Sequence, residues 1–146
     1  MGIQKQGIDG EQKAFRFLWS KGLNGLQPDT LIRHKGKWFV LEVKNKGELF
    51  NPPPFYGTGL EVPQIKARMQ FWQETGIRCI VIQFMIDQPN TVYYQFLDVL
   101  EKGKYFDTRR GIRIYHIDSW KKEIWIDPAD KKTDTKQILD KSTTMA

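Results

Sequence analysis

The chain has 146 residues, a formal net charge of +6 at pH 7 and a single cysteine. This length fits one domain with its own core, and the lone cysteine excludes an internal disulfide and favours a reducing compartment. No apolar run approaches the roughly 20 residues that span a bilayer, and the first residues lack the apolar core of a secretory signal. We therefore expect a cytoplasmic protein without a membrane partner, and its charge favours polyanions such as nucleic acids.

The first predicted element is a helix near the N-terminus. Asp9 can cap its start and Gly22 can end it. Glu11, Phe15 and Leu18 fall at positions i, i+4 and i+7, so they share one face of this helix. Glu11 is expected at the solvent end of the face that packs inward.

A β-hairpin is predicted next. The runs TLIRH and KWFVLEVK flank the dipeptide Lys35-Gly36, which is typical of a tight turn between two strands. Because strand side chains alternate between faces, Glu42 and Lys44 project from the same side of the second strand. The hairpin also brings Asp29 and Glu42 toward one end of a sheet.

The middle of the chain is predicted to form a loop, a helix and two strands. Residues 47–62 are rich in proline, glycine and aromatic residues, and we interpret them as a functional loop. Pro63 suits the first turn of a helix that Gly76 ends. The apolar run CIVIQFM is typical of a central buried strand, and TVYYQF of its neighbour.

The last third contains shorter elements and a polar end. Asp98 is predicted to cap a short helix, GIRIYHI to form a strand and SWKKEIW to form another short helix. We predict one domain over residues 1–126 and a polar tail over residues 127–146 that is mobile or used in assembly. The order of elements predicts an α/β fold with a mixed sheet flanked by helices.

The pair Glu42-Lys44 differs from other acidic residues that lie two positions before a lysine because of its context. By itself, this spacing is explained by an exposed ion pair of no chemical consequence. Glu42-Lys44 lies at the end of an apolar strand, one hairpin after Pro28-Asp29. The same spacing without a preceding predicted strand occurs at Glu11-Lys13, Asp130-Lys132 and Asp134-Lys136.

The sequence Pro28-Asp29, followed by Glu42-Val43-Lys44, resembles the PD-(D/E)xK nuclease superfamily, and its nearest likeness is to the small Holliday-junction resolvases. Glu11 matches the acidic residue that many members carry on their first helix. Gln64 resembles a glutamine that several branches place beside the active site, and a solvent-facing helix residue is the alternative interpretation. The resemblance covers residues 9–84 and implies a restriction-endonuclease-like core.

Phosphodiester hydrolysis requires an activated water and stabilisation of the charged phosphate, which a divalent metal ion can supply. Mg²⁺ prefers oxygen ligands, so Asp29 and Glu42 are candidate ligands, with Mn²⁺ as a possible substitute for Mg²⁺. Lys44 would orient or deprotonate the attacking water and offset charge in the transition state. The resemblance adds the Val43 carbonyl as a metal ligand, and Glu11 as a ligand that acts directly or through water.

Basic and aromatic residues near this pattern are candidate DNA contacts. Phe55 and Tyr56 could stack on bases or, equally, pack on the domain or a second subunit. A basic cluster later in the chain, formed by Lys102, Lys104, Arg109, Arg110 and Arg113, could instead be a solvated loop face. The basic candidates are Lys46, Lys66, Arg68, Arg109, Arg110 and Arg113.

These patterns predict a Mg²⁺-dependent DNA endonuclease, resolvase-like on branched DNA and at least a homodimer, because one small subunit must be paired to cut two strands. Two alternatives remain open. One is a site-specific duplex endonuclease of the restriction or homing type on the same core, and the other is a non-catalytic DNA-binding protein of the same fold. The sequence has neither a cluster of zinc ligands nor the glycine-rich phosphate loop of a nucleotide-binding enzyme.

Overall fold

The computed structural model describes residues 10, 12–14, 16–17, 20–21, 24–25 and 31–131. Residues 10, 12–14, 16–17 and 20 have helical backbone, as the sequence predicts for this region. Asp9, Glu11, Phe15, Leu18 and Gly22, which carried that prediction, lie outside the described residues.

Nine strands and two helices follow in the described chain. The helices are α1, Val62–Thr75, and α2, Leu97–Lys102. Short 3-10 segments occupy Ile117–Ser119 and Pro128–Lys131. The strands are β1 Asn24–Gly25, β2 Leu31–His34, β3 Lys37–Lys46, β4 Gly57–Glu61, β5 Arg78–Met85, β6 Gln88–Phe96, β7 Tyr105–Asp107, β8 Ile112–His116 and β9 Lys121–Ile124.

The main sheet has six strands in the order β1-β2-β3-β5-β6-β9. Only β3 and β5 pair in parallel, whereas all the other neighbours are antiparallel. A parallel pair needs a long crossover connection, and here β4 and α1 supply it. The two central strands therefore run in the same direction, with α1 returning the chain from the end of β3 to the start of β5.

Helix α1 begins and ends where the sequence predicts. Pro63 lies in its first turn, where the missing proline N–H costs no hydrogen bond. Gly76 ends it in the left-handed conformation with φ of 75°, and its N–H donates to the Trp72 carbonyl at 2.8 Å. Glycine adopts this conformation without the strain that a side chain would add.

A second, three-stranded sheet has the order β4-β8-β7. The backbones of β4 and β8 approach so closely that a Cβ atom on Gly59 would lie 1.6 Å from the Arg113 carbonyl oxygen. Gln83 of β5 joins the two sheets, because its side chain accepts a hydrogen bond from the Thr58 hydroxyl and donates to the Gly59 carbonyl at 2.9 Å. The three-stranded sheet is thus fixed to the main sheet through a buried polar side chain.

Two apolar clusters cover the two faces of the main sheet. One includes Val40 and Val81 with Leu60 and Ile65, so it lies between the main sheet, β4 and α1. The other includes Leu41, Ile80, Ile82 and Phe84 of the sheet together with Phe17 of the N-terminal helical region. The main sheet therefore has helical segments on both faces, and the predicted α/β class with a mixed sheet is confirmed at this coarse level.

Three local predictions are wrong. Residues 47–62, interpreted as a functional loop, are not a loop throughout, since they contain β4, which pairs with β8. The run SWKKEIW contains β9, which pairs with β6, rather than a helix. Asp98 does not cap α2, because it binds the Arg78 guanidinium at 2.9 Å while Phe96 occupies the capping position.

The predicted boundary between domain and tail falls beside a buried carboxylate. Asp127 is 2 % exposed and accepts two hydrogen bonds from Arg16 at 2.7 and 2.6 Å. The chain therefore packs against the N-terminal helical region at least as far as Asp127. Residues 132–146 lie outside the described chain, so the predicted tail over these residues stays a prediction.

No helix among the described residues is long and apolar enough to cross a membrane.

Candidate active site

Strand β3 carries a row of charged side chains on the face that α1 covers. Val40, Glu42, Lys44 and Lys46 share this face because they alternate with Leu41 and its neighbours. Val40 belongs to the apolar cluster beneath α1. The row therefore starts in the core and becomes charged toward the carboxyl end of the strand.

Glu42 is buried in this row and is 8 % exposed. It accepts a hydrogen bond from Nε of Arg68 at a distance of 2.5 Å. Arg68 follows Ile65, a buried residue of α1, by one helical turn, so it lies on or beside the face that packs on the sheet. A buried carboxylate is stable only when it is paired or bound, and Arg68 satisfies this need.

The Cys79 thiol lies close enough to Glu42 for the carboxylate charge to affect the pKa of the thiol. Burial raises the pKa of Cys79 far above its usual value, and the negative charge of Glu42 raises it further. A buried thiol with a strongly raised pKa stays protonated and is a poor nucleophile. Cys79 is therefore a packing residue beneath the site.

Lys44 is half-buried, and within the described chain it forms no ion pair with a carboxylate. In particular, it does not pair with Glu42, which binds Arg68 instead. The exposed ion pair between Glu42 and Lys44, which was the simplest explanation of this spacing, is therefore not formed. Across the parallel ladder, Lys44 is in register with Gln83.

Lys46 completes the row and is also half-buried. Its pKa is lowered mainly by burial and further by the positive charge of Lys44, whereas Glu61 acts in the opposite direction. Lys46 borders a pocket of about 410 Å³ that Leu49, Phe50 and Ile112 also line. Two lysines thus lie at the carboxyl end of β3 without full compensation of their charges.

Gln64 lies in the first turns of α1, one helical turn before Arg68. Its Oε1 atom is buried and has no hydrogen-bond partner among the described residues. A buried acceptor that lacks a partner costs about 1–3 kcal/mol, so a water molecule or a cation is expected to bind it. Gln64 precedes Arg68 by four helical residues and Lys44 follows Glu42 by two strand residues, and each of these steps spans about 6–7 Å. Because α1 returns the chain from the end of β3 toward the start of β5, Gln64 is expected near the level of Lys44.

The oxygen donors of this site suit a hard divalent cation. Oε2 of Glu42 has no hydrogen-bond partner in the described part of the chain, and Oε1 of Gln64 has none either. No group of three or more His, Cys, Asp or Glu residues within the described ranges could hold a metal by itself. Asp29 and Glu11 lie outside those ranges, so their roles stay predictions.

The predicted role of Val43 also stays a prediction. Its side chain is half-buried and packs against the apolar cluster on the opposite face of the sheet, beneath the N-terminal helical residues. The side chain is therefore structural, and only its backbone carbonyl could serve the site.

The aromatic candidates for DNA contact differ in their environments. Phe55 is buried and its ring centroid lies 5.1 Å from that of Phe106 and 4.8 Å from that of His116. Tyr56 is 53 % exposed. The structure therefore packs Phe55 on the domain and leaves Tyr56 open to solvent.

The basic candidates also differ in their environments, and Lys46 is the half-buried lysine described above. Arg113 is bound by carboxylates, because it donates to Asp107 at 2.8 Å and to Glu101 at 2.7 Å. Arg68 binds Glu42 as described above. The exposed candidates are Lys66, Arg109 and Arg110.

Sequence reasoning missed two features of the site. Gln83 interrupts the apolar run RCIVIQFM, and a polar residue in a buried strand is a signal of a specific partner. The pairing of Arg68 with Glu42 joins residues 26 positions apart. Its only sequence signal is the position of Arg68 beside the apolar face of α1.

No known protein family matches the chain, and no curated protein matches it. The functional assignment therefore depends on the chemistry and placement of its own residues.

Proposed function

We propose that the chain is a divalent-metal-dependent DNA endonuclease. The observation that carries this proposal is the row on β3, in which the buried Glu42 and Lys44, which forms no ion pair among the described residues, project from the same face of the strand. Burial of such charges disfavours folding unless they are compensated. Arg68 binds one oxygen of Glu42, and a bound metal ion and a phosphate would compensate the other oxygen and Lys44.

The connectivity supports the same proposal. A hairpin, β2 and β3, is followed by a helix and by a strand parallel to β3. This order agrees with the restriction-endonuclease-like core that the resemblance implied. Strand β4 lies between the hairpin and α1 and forms part of the connection between the parallel strands β3 and β5.

Each side chain of the site would have a separate role in the reaction. A bound Mg²⁺ would supply Lewis-acid activation of the phosphate and of the attacking water. Glu42 would bind the cation through Oε2, with Asp29 and Glu11 as the proposed further carboxylates. The Lys44 ammonium would orient the attacking water and offset charge on the phosphate in the transition state, while Gln64 would accept a hydrogen bond from a water near Lys44.

The surface charge supports a nucleic-acid substrate. The net charge of +6 and the exposed Lys66 on α1, two residues before Arg68, favour contact with a phosphate backbone. We propose branched DNA as the substrate and a homodimer as the active assembly, since two strands must be cut. A protein mass of 17.2 kDa by gel filtration, the mass of one chain, both with and without DNA, would contradict the dimer.

The test is cleavage of three labelled DNAs: a four-way junction, its matched linear duplex and a supercoiled plasmid. Each is incubated with Mg²⁺ or with EDTA, using the parent protein and the variants Glu42→Gln, Asp29→Asn and Lys44→Ala. We expect each variant to reduce Mg²⁺-dependent cleavage by about 100-fold or more while DNA affinity is retained. Lys37→Ala is the matched control, because Lys37 is an exposed lysine at the other end of the same strand.

The outcomes separate the proposals. Symmetrical nicks in the junction alone indicate a resolvase, and one discrete cut in the plasmid indicates a site-specific endonuclease. Tight binding without cleavage of any DNA indicates a non-catalytic DNA-binding protein. Cleavage by Lys44→Ala at the parent rate would show that this row is not the active site.

A further inference from the structure

The arginine–carboxylate pairs of the described chain differ in how many atoms take part. In Arg113–Glu101, Nη1 alone donates to both carboxylate oxygens, at 2.7 and 3.0 Å. In three other pairs, Nε and Nη2 of one arginine bind both oxygens of one aspartate, which uses the planar fork of the guanidinium fully. Arg68 instead binds Glu42 through Nε alone, at 2.5 Å. The forked pairs are Arg16–Asp127, Arg78–Asp98 and Arg113–Asp107.

The single bond leaves polar atoms available on both partners. Within the described part of the chain, Oε2 of Glu42 and both Nη atoms of Arg68 form no hydrogen bond. The side chain of Glu42 is 11 % exposed and that of Arg68 is 31 % exposed. Both side chains are therefore partly open to solvent, Arg68 more than Glu42.

A pair that served only to attach α1 to the sheet would gain from a second bond, as the three forked pairs do. A carboxylate that binds a metal must instead keep one oxygen free, and such ligands are commonly held by a hydrogen bond to the other oxygen. The geometry of Arg68 and Glu42 meets this condition. It also leaves the Nη groups of Arg68 available to bind an anion such as a phosphate oxygen.

We propose that Arg68 is a positioning residue that couples the metal ligand to the substrate. Its Nε holds Glu42 so that Oε2 faces the cation, and its Nη groups bind a non-bridging oxygen of the phosphate to be cleaved. One rigid guanidinium thus sets the distance between the metal-binding carboxylate and the phosphate. This inference rests on the proposed nuclease function and adds a residue to its site.

The experiment compares Arg68→Gln with Arg78→Gln. Arg78 is the matched control because its guanidinium also binds a carboxylate on the same domain, at the first residue of β5, away from the row on β3. Two binding measurements are made without cleavage. Calorimetry gives the affinity for Mn²⁺ alone, and fluorescence anisotropy gives the affinity for a four-way junction in EDTA at several KCl concentrations.

Arg68→Gln is expected to weaken Mn²⁺ binding by about 10- to 100-fold. It should also reduce the slope of log affinity against log salt by about 0.9, the value for one lost phosphate contact. Arg78→Gln should lower the melting temperature and leave both quantities at their parent values. If Arg68→Gln lowers only the melting temperature, Arg68 merely attaches α1 to the sheet and the proposal is overturned.

Arg68→Lys keeps the comparison decisive if Arg68→Gln does not fold. A lysine preserves the charge but has one nitrogen in place of the fork, so the salt slope should be kept while Mn²⁺ affinity and cleavage fall. Parent levels of both Mn²⁺ affinity and cleavage in Arg68→Lys would overturn the proposal. Failure of the parent protein to bind Mn²⁺ or to cut DNA would instead refute the nuclease function, whatever the salt slopes of the variants.

Discussion

The two faces of β3 carry side chains of different kinds. On one face, Leu41 is buried against Ile80 and Phe17, and Val43 packs on the same cluster. On the other face, Val40 is buried in the core, whereas Glu42 and the lysines that follow are charged. The first face is apolar from Phe39 to Val43, whereas the second changes from apolar to charged side chains at Glu42.

This difference shows where a function can be placed in a small domain. The apolar face keeps β3 in the sheet, so the opposite face can hold charges that disfavour folding. Average hydrophobicity along the strand does not reveal this division, because the two faces alternate residue by residue. Substitutions on each face should therefore change different measurable quantities.

Leu41→Ala is expected to have the largest effect on stability. Removal of a fully buried leucine side chain lowers the free energy of unfolding by about 2–5 kcal/mol, which urea denaturation measures. Mg²⁺-dependent cleavage per folded molecule should stay within a few-fold of the parent value. If the folded variant loses cleavage as completely as Lys44→Ala does, the two faces are not separable in this way.

Gln83→Leu sharpens the comparison on the charged face. Gln83 is in register with Lys44 across the ladder, but among the described residues its side chain binds only Thr58 and Gly59. Its loss leaves a buried hydroxyl and a buried carbonyl without partners, so the free energy of unfolding should fall by about 1–3 kcal/mol.

The double variant Thr58→Val/Gln83→Leu is the control for this change. It removes the unpaired hydroxyl as well, so it should be more stable than Gln83→Leu alone. Equal stability of Gln83→Leu and the parent, measured by urea denaturation, would show that Gln83 does not hold the two sheets together.

Lys46→Met tests a smaller cost on the same face. Burial and the charge of Lys44 lower the pKa of Lys46 below its usual 10.5, so the folded protein binds this proton less tightly than the unfolded chain does. The destabilisation is complete below the lowered pKa and decreases as the pH rises through it toward 10.5. Lys46→Met should therefore raise the free energy of unfolding at pH 7, and this gain should shrink as the pH rises.

DNA binding is expected to change in the opposite direction in Lys46→Met. The loss of one phosphate contact should reduce the slope of log affinity against log salt by about 0.9. Lys37→Met, at the exposed start of β3, is the control and should change the free energy of unfolding by less than ~0.5 kcal/mol. A Lys46→Met variant less stable than the parent at pH 7 would contradict the burial cost.

The elements with strong local signals could be predicted from the sequence. The Lys35-Gly36 turn, the apolar run of β5, and the Pro63 and Gly76 limits of α1 all appear in the structure. Strand β4 could not be predicted, because its glycines have low strand propensity. Its pairing depends on β8, more than 50 residues later in the chain. Contacts of this range leave no local pattern.

The candidate site was predictable in part for the same reason. Alternation along β3 placed Glu42 and Lys44 on one face, and the structure has them there. The pairing of Glu42 with Arg68 requires the packing of α1 on the sheet, which no local spacing encodes. The run SWKKEIW was predicted as a short helix, but pairing of β9 with β6 makes most of it a strand.

The link between Gln83 and β4 has a consequence for the motions of the protein. Separation of the three-stranded sheet from the main sheet would break the hydrogen bond between Gln83 of β5 and the Gly59 carbonyl. If the rest of the core stayed closed, these buried groups would be left without partners. The two sheets should then form one cooperative unit. Native-state amide exchange would register it as a common opening free energy for the β4 and β5 amides.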